Sequence, residues 1–178
     1  MCHSKADTST EPSWDLFAER LAELGGHTLH IEESPLGAAI LRHLDDLGIP
    51  ARHATVDSDA CDLCELATTA DVWTADVGIT LADVAVAETG SLLLAAGPGR
   101  ARMNSLAPPT HVAIVERDAL VSSLEGAFER LSDRTSVLIT GPSRTADIEG
   151  VLVRGVHGPK ELIVVVVNTS AYRQEASE

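Results

Sequence analysis

The sequence predicts an α/β fold in which helices flank a mainly parallel sheet. In the first part of the chain, helix-like segments alternate with short apolar runs, a pattern typical of strands joined by right-handed crossovers. The apolar residues of 162–167 are continuous rather than alternating, which indicates a strand buried on both faces. Hydrophobic residues make up 44% of the chain but aromatic residues only 3%, so we expect a core of aliphatic side chains.

The length of 178 residues suits one domain with a full-sized core. We expect residues 12–168 to form this domain, between a flexible N-terminus (1–11) and a flexible tail (169–178). Both ends are polar and offer little to bury, so packing has little to hold them in place.

The first helix begins after a capping residue, Ser13, and its apolar residues recur at helical spacing until Gly25 and Gly26 end it. The next elements expected are a strand at 28–31, a helix at 35–47 and a strand at 51–56. The later ones are two apolar runs joined by a polar bend at 82–94, a strand at 111–116, a helix at 118–131, a strand at 135–139, a short helix or turn at 145–148 and a strand at 161–167.

An acidic segment, 57–71, interrupts this rhythm and contains the CxxC pair Cys61 and Cys64. Such a pair supplies only half of the ligands of a zinc or iron–sulfur site. Cys2 is the third cysteine of the chain, and it lies in the polar N-terminus. We therefore expect this chain to bind no metal, and we expect a variable acidic helix or loop here.

A polar quartet, Glu88, Thr89, Gly90 and Ser91, separates the apolar runs 82–87 and 92–94. It predicts a bend or hairpin whose polar atoms reach a ligand. A carboxylate between apolar strands is expected to be partly desolvated, which favours proton transfer. Two roles for Glu88 stay open: a general base or nucleophile, and an ion pair with an arginine that holds loops together.

A glycine- and proline-rich connection at 97–106 carries Arg100, Arg102 and Ser105. Loops with fixed cations can clamp a carboxylate or phosphate, so Arg100 and Ser105 are candidate binding residues. For Arg102 a solvated position is the simpler interpretation.

The apolar run 137–139 breaks at Gly-Pro and is followed by hydroxyl, guanidinium and carboxyl groups before a helix-like segment. This pattern predicts an anion site built from backbone N–H groups and polar side chains. The candidate residues are Gly141, Ser143, Arg144, Thr145, Asp147 and Glu149.

A second loop, 155–160, contains two glycines and a proline immediately before the last strand, and it adds His157 and Lys160. His157 is a candidate for proton transfer together with Glu88, and Lys160 is a candidate anion ligand. We expect all these loops to meet at the carboxyl ends of the strands.

Four motifs together resemble the LUD-domain family, specifically its lactate-utilisation protein C type. They are ADVAVAETGSLLL (82–94), SLAPPTHVAIV (105–115), TGPSRTADIE (140–149) and GVHGPKEL (155–162), and the similarity extends over roughly residues 70–167. The resemblance implies a fold of the sugar-isomerase and CoA-transferase-like (NagB/RpiA) class. It also implies a part in the oxidation of L-lactate to pyruvate by a multiprotein system whose iron–sulfur clusters lie in partner proteins.

The formal net charge of −14 disfavours nucleic acid and anionic membrane surfaces as partners. Residues 1–76 contain 15 acids and 4 bases, whereas 77–178 contain 12 acids and 9 bases, so most positive charge accompanies the motifs. A small anionic metabolite is therefore the expected ligand. The chain shows no signal-peptide core and no apolar run of membrane-spanning length, which favours a cytoplasmic protein, and an oligomer stays open.

Two function classes remain. The first, implied by the resemblance, is a non-cluster subunit or accessory enzyme of L-lactate oxidation. The second is a regulatory or sensing module that binds a phosphorylated or carboxylate metabolite without turning it over. Glu88 and His157 facing one cavity would favour chemistry, whereas a site lined only by hydrogen-bond donors would favour sensing.

Overall fold

A computed structural model describes residues 12–32, 35–131, 135–146 and 152–168. The helices are α1 (Trp14–Glu23), α2 (Leu36–Asp46), α3 (Ser58–Cys64) and α4 (Leu124–Arg130), with two short 3₁₀ helices, Arg102–Ser105 and Arg117–Ala119. The strands are β1 (His27–Ile31), β2 (Ala54–Val56), β3 (Val77–Ala82), β4 (Val84–Val86), β5 (Ser91–Ala95), β6 (Thr110–Glu116), β7 (Leu120–Val121), β8 (Ser136–Ile139), β9 (Arg144–Ala146), β10 (Leu152–Arg154) and β11 (Glu161–Val167). None of the helices in these ranges is long and apolar enough to cross a membrane.

A parallel sheet of five strands, in the order β1-β11-β6-β3-β2, forms the centre of the fold. Its middle strand pairs, β11 with β6 and β6 with β3, are the longest and bury nearly every side chain. The predicted α/β class with a mainly parallel sheet is confirmed, and so is the expectation that the continuous apolar run before Asn168 is a buried strand.

The two faces of this sheet are covered differently. α2 and α3 pack on one face through an aliphatic cluster that includes Leu36, Ile40 and Ile114. A second, four-stranded sheet, in the order β7-β4-β5-β8, covers the other face together with α1, which contributes Phe17 and Leu21. α4 packs on the outer side of this second sheet.

The polar quartet at 88–91 lies in a hairpin, since β4 and β5 pair antiparallel on either side of it. Gly90 occupies the left-handed region (φ 63°), and a Cβ added there would lie 2.6 Å from the backbone nitrogen of Leu21 in α1. The turn therefore requires glycine both for its backbone conformation and for the close approach of α1.

Several elements differ from the sequence-based expectations. The segment 144–146 is a strand, β9, paired antiparallel with β10, and not the start of a helix. A strand of three residues is too short to show a period of two, which explains this error. The helix expected at 118–131 begins only at Leu124, because Ala119 ends a 3₁₀ turn and the next two residues pair with β4 as β7.

The connection 97–109 lies directly on the parallel sheet, over a glycine in β3. A Cβ at Gly78 would be 1.8 Å from the backbone oxygen of Asn104, so this loop approaches as close as the glycine allows. Gly78 thus positions the 3₁₀ helix Arg102–Ser105, which forms part of the site described below.

We predict that Gly78→Ala lowers the free energy of unfolding by about 1–3 kcal/mol, the usual effect of overpacking a close-packed interior. Gly97→Ala is the matched control, because a Cβ there meets no atom within 4 Å, and we expect it to change stability by less than about 0.5 kcal/mol. Urea unfolding followed by circular dichroism measures both. Equal stability of the two variants would contradict the close packing of the loop on β3.

Candidate functional site

A cavity of about 320 Å³ opens where the two sheets meet. It lies at the amino ends of β6 and β11 and at the carboxyl end of β8. Its lining residues are Ser105, Leu106, His111, Val137, Leu138, Ile139, Thr140, Gly141, Pro142, Ser143, Arg144, His157, Gly158, Pro159 and Leu162. The loops before β6 and β11 reach the cavity at strand amino ends, so the expectation that the loops meet at carboxyl ends is wrong for these two strands, whereas it holds for β8.

The two glycine-proline loops of the sequence do come together in this cavity. The backbone N–H of Ser143 donates to the carbonyl oxygen of Pro159 (2.8 Å), and the N–H of Gly155 donates to the carbonyl oxygen of Ser143 (3.0 Å). A Cβ at Gly158 would lie 3.0 Å from that of Ser143, so the loops are in close contact. The predicted juxtaposition of 141–145 with 155–160 is correct.

The basis of the predicted anion site is different, however. A helix-like segment was expected after Gly141, but β9 follows instead, and the Ser143 N–H already donates to Pro159. Hence no helix start directly after Gly141 offers free backbone N–H groups. The predicted anion site therefore depends on the side chains at the cavity.

Arg144 is the fixed cation of the cavity wall. Its guanidinium is exposed and donates to the carbonyl oxygen of Leu24, just after the end of α1. A cation is favourable at the negative, carboxyl-terminal end of a helix. The contact with the end of α1 therefore stabilises this orientation of Arg144. One hydrogen bond uses only part of the five donors of a guanidinium.

Neighbouring Gly141 has a φ of 81°, and a Cβ there would lie 2.8 Å from the Cβ of Leu24. The turn that leads from β8 into the cavity wall therefore packs closely on the end of α1.

His157 also lines the cavity and is exposed, whereas Glu88 does not belong to the lining. Glu88 is exposed as well, and its Oε1 accepts a hydrogen bond from the N–H of Leu124 (2.7 Å) in the first turn of α4. The expected desolvation of Glu88 is therefore wrong, because the hairpin turns it outward toward α4. A carboxylate at a helix start is a stabilising arrangement, so a loop-holding role is the better description of this residue.

Arg100 is held by two carboxylates. Its Nη1 lies 2.8 Å from both oxygens of Asp83 and its Nε lies 2.8 Å from Asp59, while only 12% of its side chain is exposed. The Asp83 carboxylate also accepts the N–H of Ala95 (2.7 Å). These contacts form a structural ion pair that ties loop 97–101 to α3 and the β3–β4 turn, and Arg100 does not belong to the lining of the cavity.

The remaining candidates divide between the cavity and its surroundings. Ser105 lines the cavity and is buried, and its Oγ donates to the carbonyl oxygen of Arg102 (2.9 Å). Ser91 does not belong to the lining, but its Oγ lies 2.8 Å from Oγ1 of the lining residue Thr140.

Other candidates lie away from the cavity. Four further candidate residues do not belong to the lining of the cavity: Thr89, Gly90, Thr145 and Lys160. Lys160 is exposed, and its N–H donates to the carbonyl oxygen of Pro109 (2.7 Å). Asp147 and Glu149 lie outside the described residues.

His111 is the titratable lining residue that the sequence analysis did not single out. His111 is the second residue of β6 and is buried with 1% exposure, and its Nε2 lies 2.8 Å from Oγ1 of Thr80 on β3. Burial lowers the pKa of His111 to about 3, so its imidazole is neutral. The available signal was a histidine inside an apolar strand of the SLAPPTHVAIV motif, a position where an aliphatic residue is expected.

A buried polar network continues from the cavity into the space between the sheets. Asn104 donates to Oδ1 of Asp57 (2.7 Å) and accepts from the hydroxyl of Thr55 (2.9 Å). Burial raises the pKa of Asp57 to about 6, although the Asn104 amide and the nearby Arg100 act in the opposite direction. Ser105 and Val137 border both this network and the cavity.

The charges of the lining residues favour an anion. Arg144 is positively charged, His157 offers ring nitrogens for hydrogen bonds, and no aspartate or glutamate occurs among the described lining residues. Leu106, Ile139 and Leu162 add apolar surface. A small molecule with one negative group and a short apolar part matches this composition.

The CxxC pair lies in α3, on the opposite side of the parallel sheet. Cys64 is buried, and its Sγ donates to the carbonyl oxygen of Ala60 (2.7 Å), while Cys61 is half-buried. Burial raises the pKa of Cys64 to about 11, which disfavours the thiolate that metals bind. Within the described ranges, no group of three or more histidine, cysteine, aspartate or glutamate side chains is placed to hold a metal ion. The expectation that this chain binds no metal stays a prediction.

The fold and the site define an α/β protein with a parallel sheet, a second sheet on one face and a small cavity where the sheets meet. Residues 52–167 match the LUD domain family, and the chain belongs to this family. The lactate utilization protein C of Deinococcus radiodurans is 33% identical over 165 residues, which is 85% of this chain and 77% of that protein. The protein of the same name from Exiguobacterium sp. is 41% identical over 103 residues, or 53% of this chain. The matched region spans only about 45% of that relative's length.

A solved structure has the same fold. The crystal structure of a DUF162 family protein from Deinococcus radiodurans at 1.70 Å resolution superposes with a TM-score of 0.67. It covers 86% of this chain and 95% of its own, at 24% sequence identity. This likeness confirms the architecture.

We predict that Asp57→Asn flattens the pH dependence of stability between about pH 4 and pH 6. The folded-state pKa of Asp57 is raised from 3.8 to about 6, so the folded protein binds this proton more tightly than the unfolded chain. Stability should therefore fall as pH rises through this window, by about 3 kcal/mol for a shift of about 2 units. Asparagine keeps an acceptor for Asn104 without a charge.

The measurement is the difference in unfolding free energy between wild type and Asp57→Asn at several pH values, so that other carboxylates cancel. We expect the wild type to lose stability relative to the variant as pH rises. A constant difference would contradict the burial of an ionisable Asp57.

Proposed function

We propose that the protein binds a small organic-acid anion in the cavity between its two sheets and acts in lactate utilisation. The observation that carries the proposal is the charge of the lining: Arg144 and His157 without a carboxylate among the described lining residues, in a chain of net charge −14. An acidic protein that places an arginine in a cavity whose described lining has no carboxylate attracts an anion there.

The role in lactate utilisation rests on the family and on the names of its relatives. Proteins called lactate utilization protein C match this chain, one of them over 85% of its length. On this basis we propose that the protein works in the cytoplasm with iron–sulfur partner proteins that oxidise L-lactate to pyruvate, and that the clusters reside in those partners. The chain itself supplies an anion-binding domain.

The geometry favours binding over proton transfer by the residue pair predicted from the sequence. His157 lies at the cavity but Glu88 caps α4 and is not part of the lining. In this proposal Arg144 holds the anion through charge-assisted hydrogen bonds, and His157 contributes at the exposed rim. The apolar side chains Leu106, Ile139 and Leu162 pack against the apolar part of the bound anion in this proposal.

We expect Arg144→Ala to weaken the binding of L-lactate or pyruvate by roughly 5- to 150-fold, since a charge-assisted hydrogen bond contributes about 1–3 kcal/mol. Isothermal titration calorimetry measures the affinity. Arg130→Ala is the matched control, because it removes the same charge from an exposed position on α4, away from the cavity. Thermal unfolding of both variants separates lost affinity from lost folding, because Arg144 also contacts Leu24. Equal affinity in Arg144→Ala and wild type would refute this anion site.

A genetic experiment tests the physiological role. In a strain that lacks the gene and cannot grow on L-lactate, we expect complementation by wild type and by Glu88→Gln, and poor growth with Arg144→Ala. Glu88→Gln keeps an acceptor for the Leu124 N–H, so the loop contact survives. Loss of growth with a folded Glu88→Gln protein would instead support a catalytic role for this carboxylate.

A further inference from the structure

His111 is buried in the cavity wall, and one of its ring nitrogens has no partner among the described residues. Its Nε2 lies 2.8 Å from the hydroxyl oxygen of Thr80, but its Nδ1 has no hydrogen-bond partner within the described part of the chain. A buried polar atom without a partner costs free energy, so folded proteins rarely retain one without a reason.

The neighbours of His111 show that this position is exceptional. Along the same inner face of the parallel sheet, the side chains of Thr55, Asp57 and Asn104 bond to one another. The hydroxyls of Thr28 and Thr89 also lack a partner within the described ranges, but neither residue lines the cavity. His111 alone among these three combines a lone polar atom with a place in the wall of the cavity.

The chemistry of a neutral imidazole limits what Nδ1 can recognise. Burial keeps the ring uncharged, so it does not hold a carboxylate by charge, and that task falls to Arg144. A neutral ring has one donor and one acceptor nitrogen, and the bond to Thr80 occupies either role. A ligand hydroxyl satisfies Nδ1 in both tautomers, because it can donate or accept.

We propose that His111 is a specificity-determining residue that hydrogen-bonds the hydroxyl group of a small 2-hydroxycarboxylate whose carboxylate contacts Arg144. This inference rests on the proposed function, since it assigns the polar group next to the anion. A cavity of about 320 Å³ accommodates a molecule of this size, and Leu162, the register partner of His111 on β11, is an apolar residue of the same lining.

Two substitutions separate the nitrogens of the ring. The amide of a glutamine corresponds in position to Nε2, so His111→Gln preserves the contact with Thr80 and removes the polar atom at Nδ1. The shorter asparagine corresponds to Nδ1, so His111→Asn preserves a polar atom at the Nδ1 position and gives up the contact with Thr80. The two variants are therefore matched in chemistry and opposed in position.

The probes are L-lactate and propionate, which differ by one hydroxyl group. Calorimetric titration of wild type should give about tenfold tighter binding of L-lactate, the ratio that one net hydrogen bond provides. The ratio should fall to about one in His111→Gln and remain well above one in His111→Asn. Propionate affinity should change little in either variant, because its carboxylate contacts Arg144.

Each outcome decides between the two proposals. If neither probe binds wild type, the proposed function fails and this inference fails with it. If both bind wild type equally, or if His111→Gln keeps the preference for L-lactate, only the role of His111 is overturned. ¹⁵N NMR of wild-type protein labelled in its histidines gives an answer even if the variants do not fold: the Nδ1 resonance of His111 should shift with L-lactate and not with propionate, and an unchanged resonance overturns the role.

Discussion

The burial of β11 on both faces is the constraint on which the rest of the structure depends. Six consecutive apolar residues, 162–167, pair with β1 on one side and β6 on the other, and all six are buried. A strand of this kind needs a cover above and below. α2 and α3 supply one cover, and the second sheet with α1 supplies the other. The cavity occurs at the amino ends of β6 and β11, where these two covering layers end and loops form its wall.

The sequence predicted the elements whose signal is long or repeated. α1 has four apolar positions at helical spacing and a serine cap, and Ser13 does accept from the N–H of Asp15 (3.2 Å). β11 has an uninterrupted apolar run. By contrast, β9 spans only three residues, and its pairing with β10 depends on a partner that no local pattern reveals.

The candidate site could be predicted only in part, because here too the prediction depends on how much of the signal is local in the sequence. The loops 141–145 and 155–160 meet as expected, because both flank strands that the two sheets bring together. Arg100 remained a candidate for the ligand, and both roles of Glu88 stayed open, because a sequence does not show which carboxylate or N–H group a side chain will meet. Asp83 and the Leu124 N–H are distant along the chain. His111 was overlooked since a histidine in an apolar strand gives no local sign of an unsatisfied nitrogen.

The end of α1 reaches across the boundary of the family match. Residues 52–167 define the LUD domain, yet Leu24 supplies the carbonyl oxygen that Arg144 binds, and β1 protects the outer edge of β11. A shortened protein starting at residue 52 would keep every motif of the family and lose both the anchor of its cavity arginine and one strand of the central sheet. The segment matched by the family is therefore smaller than the unit that builds the cavity wall, and residues 12–32 belong to the structural minimum of the site.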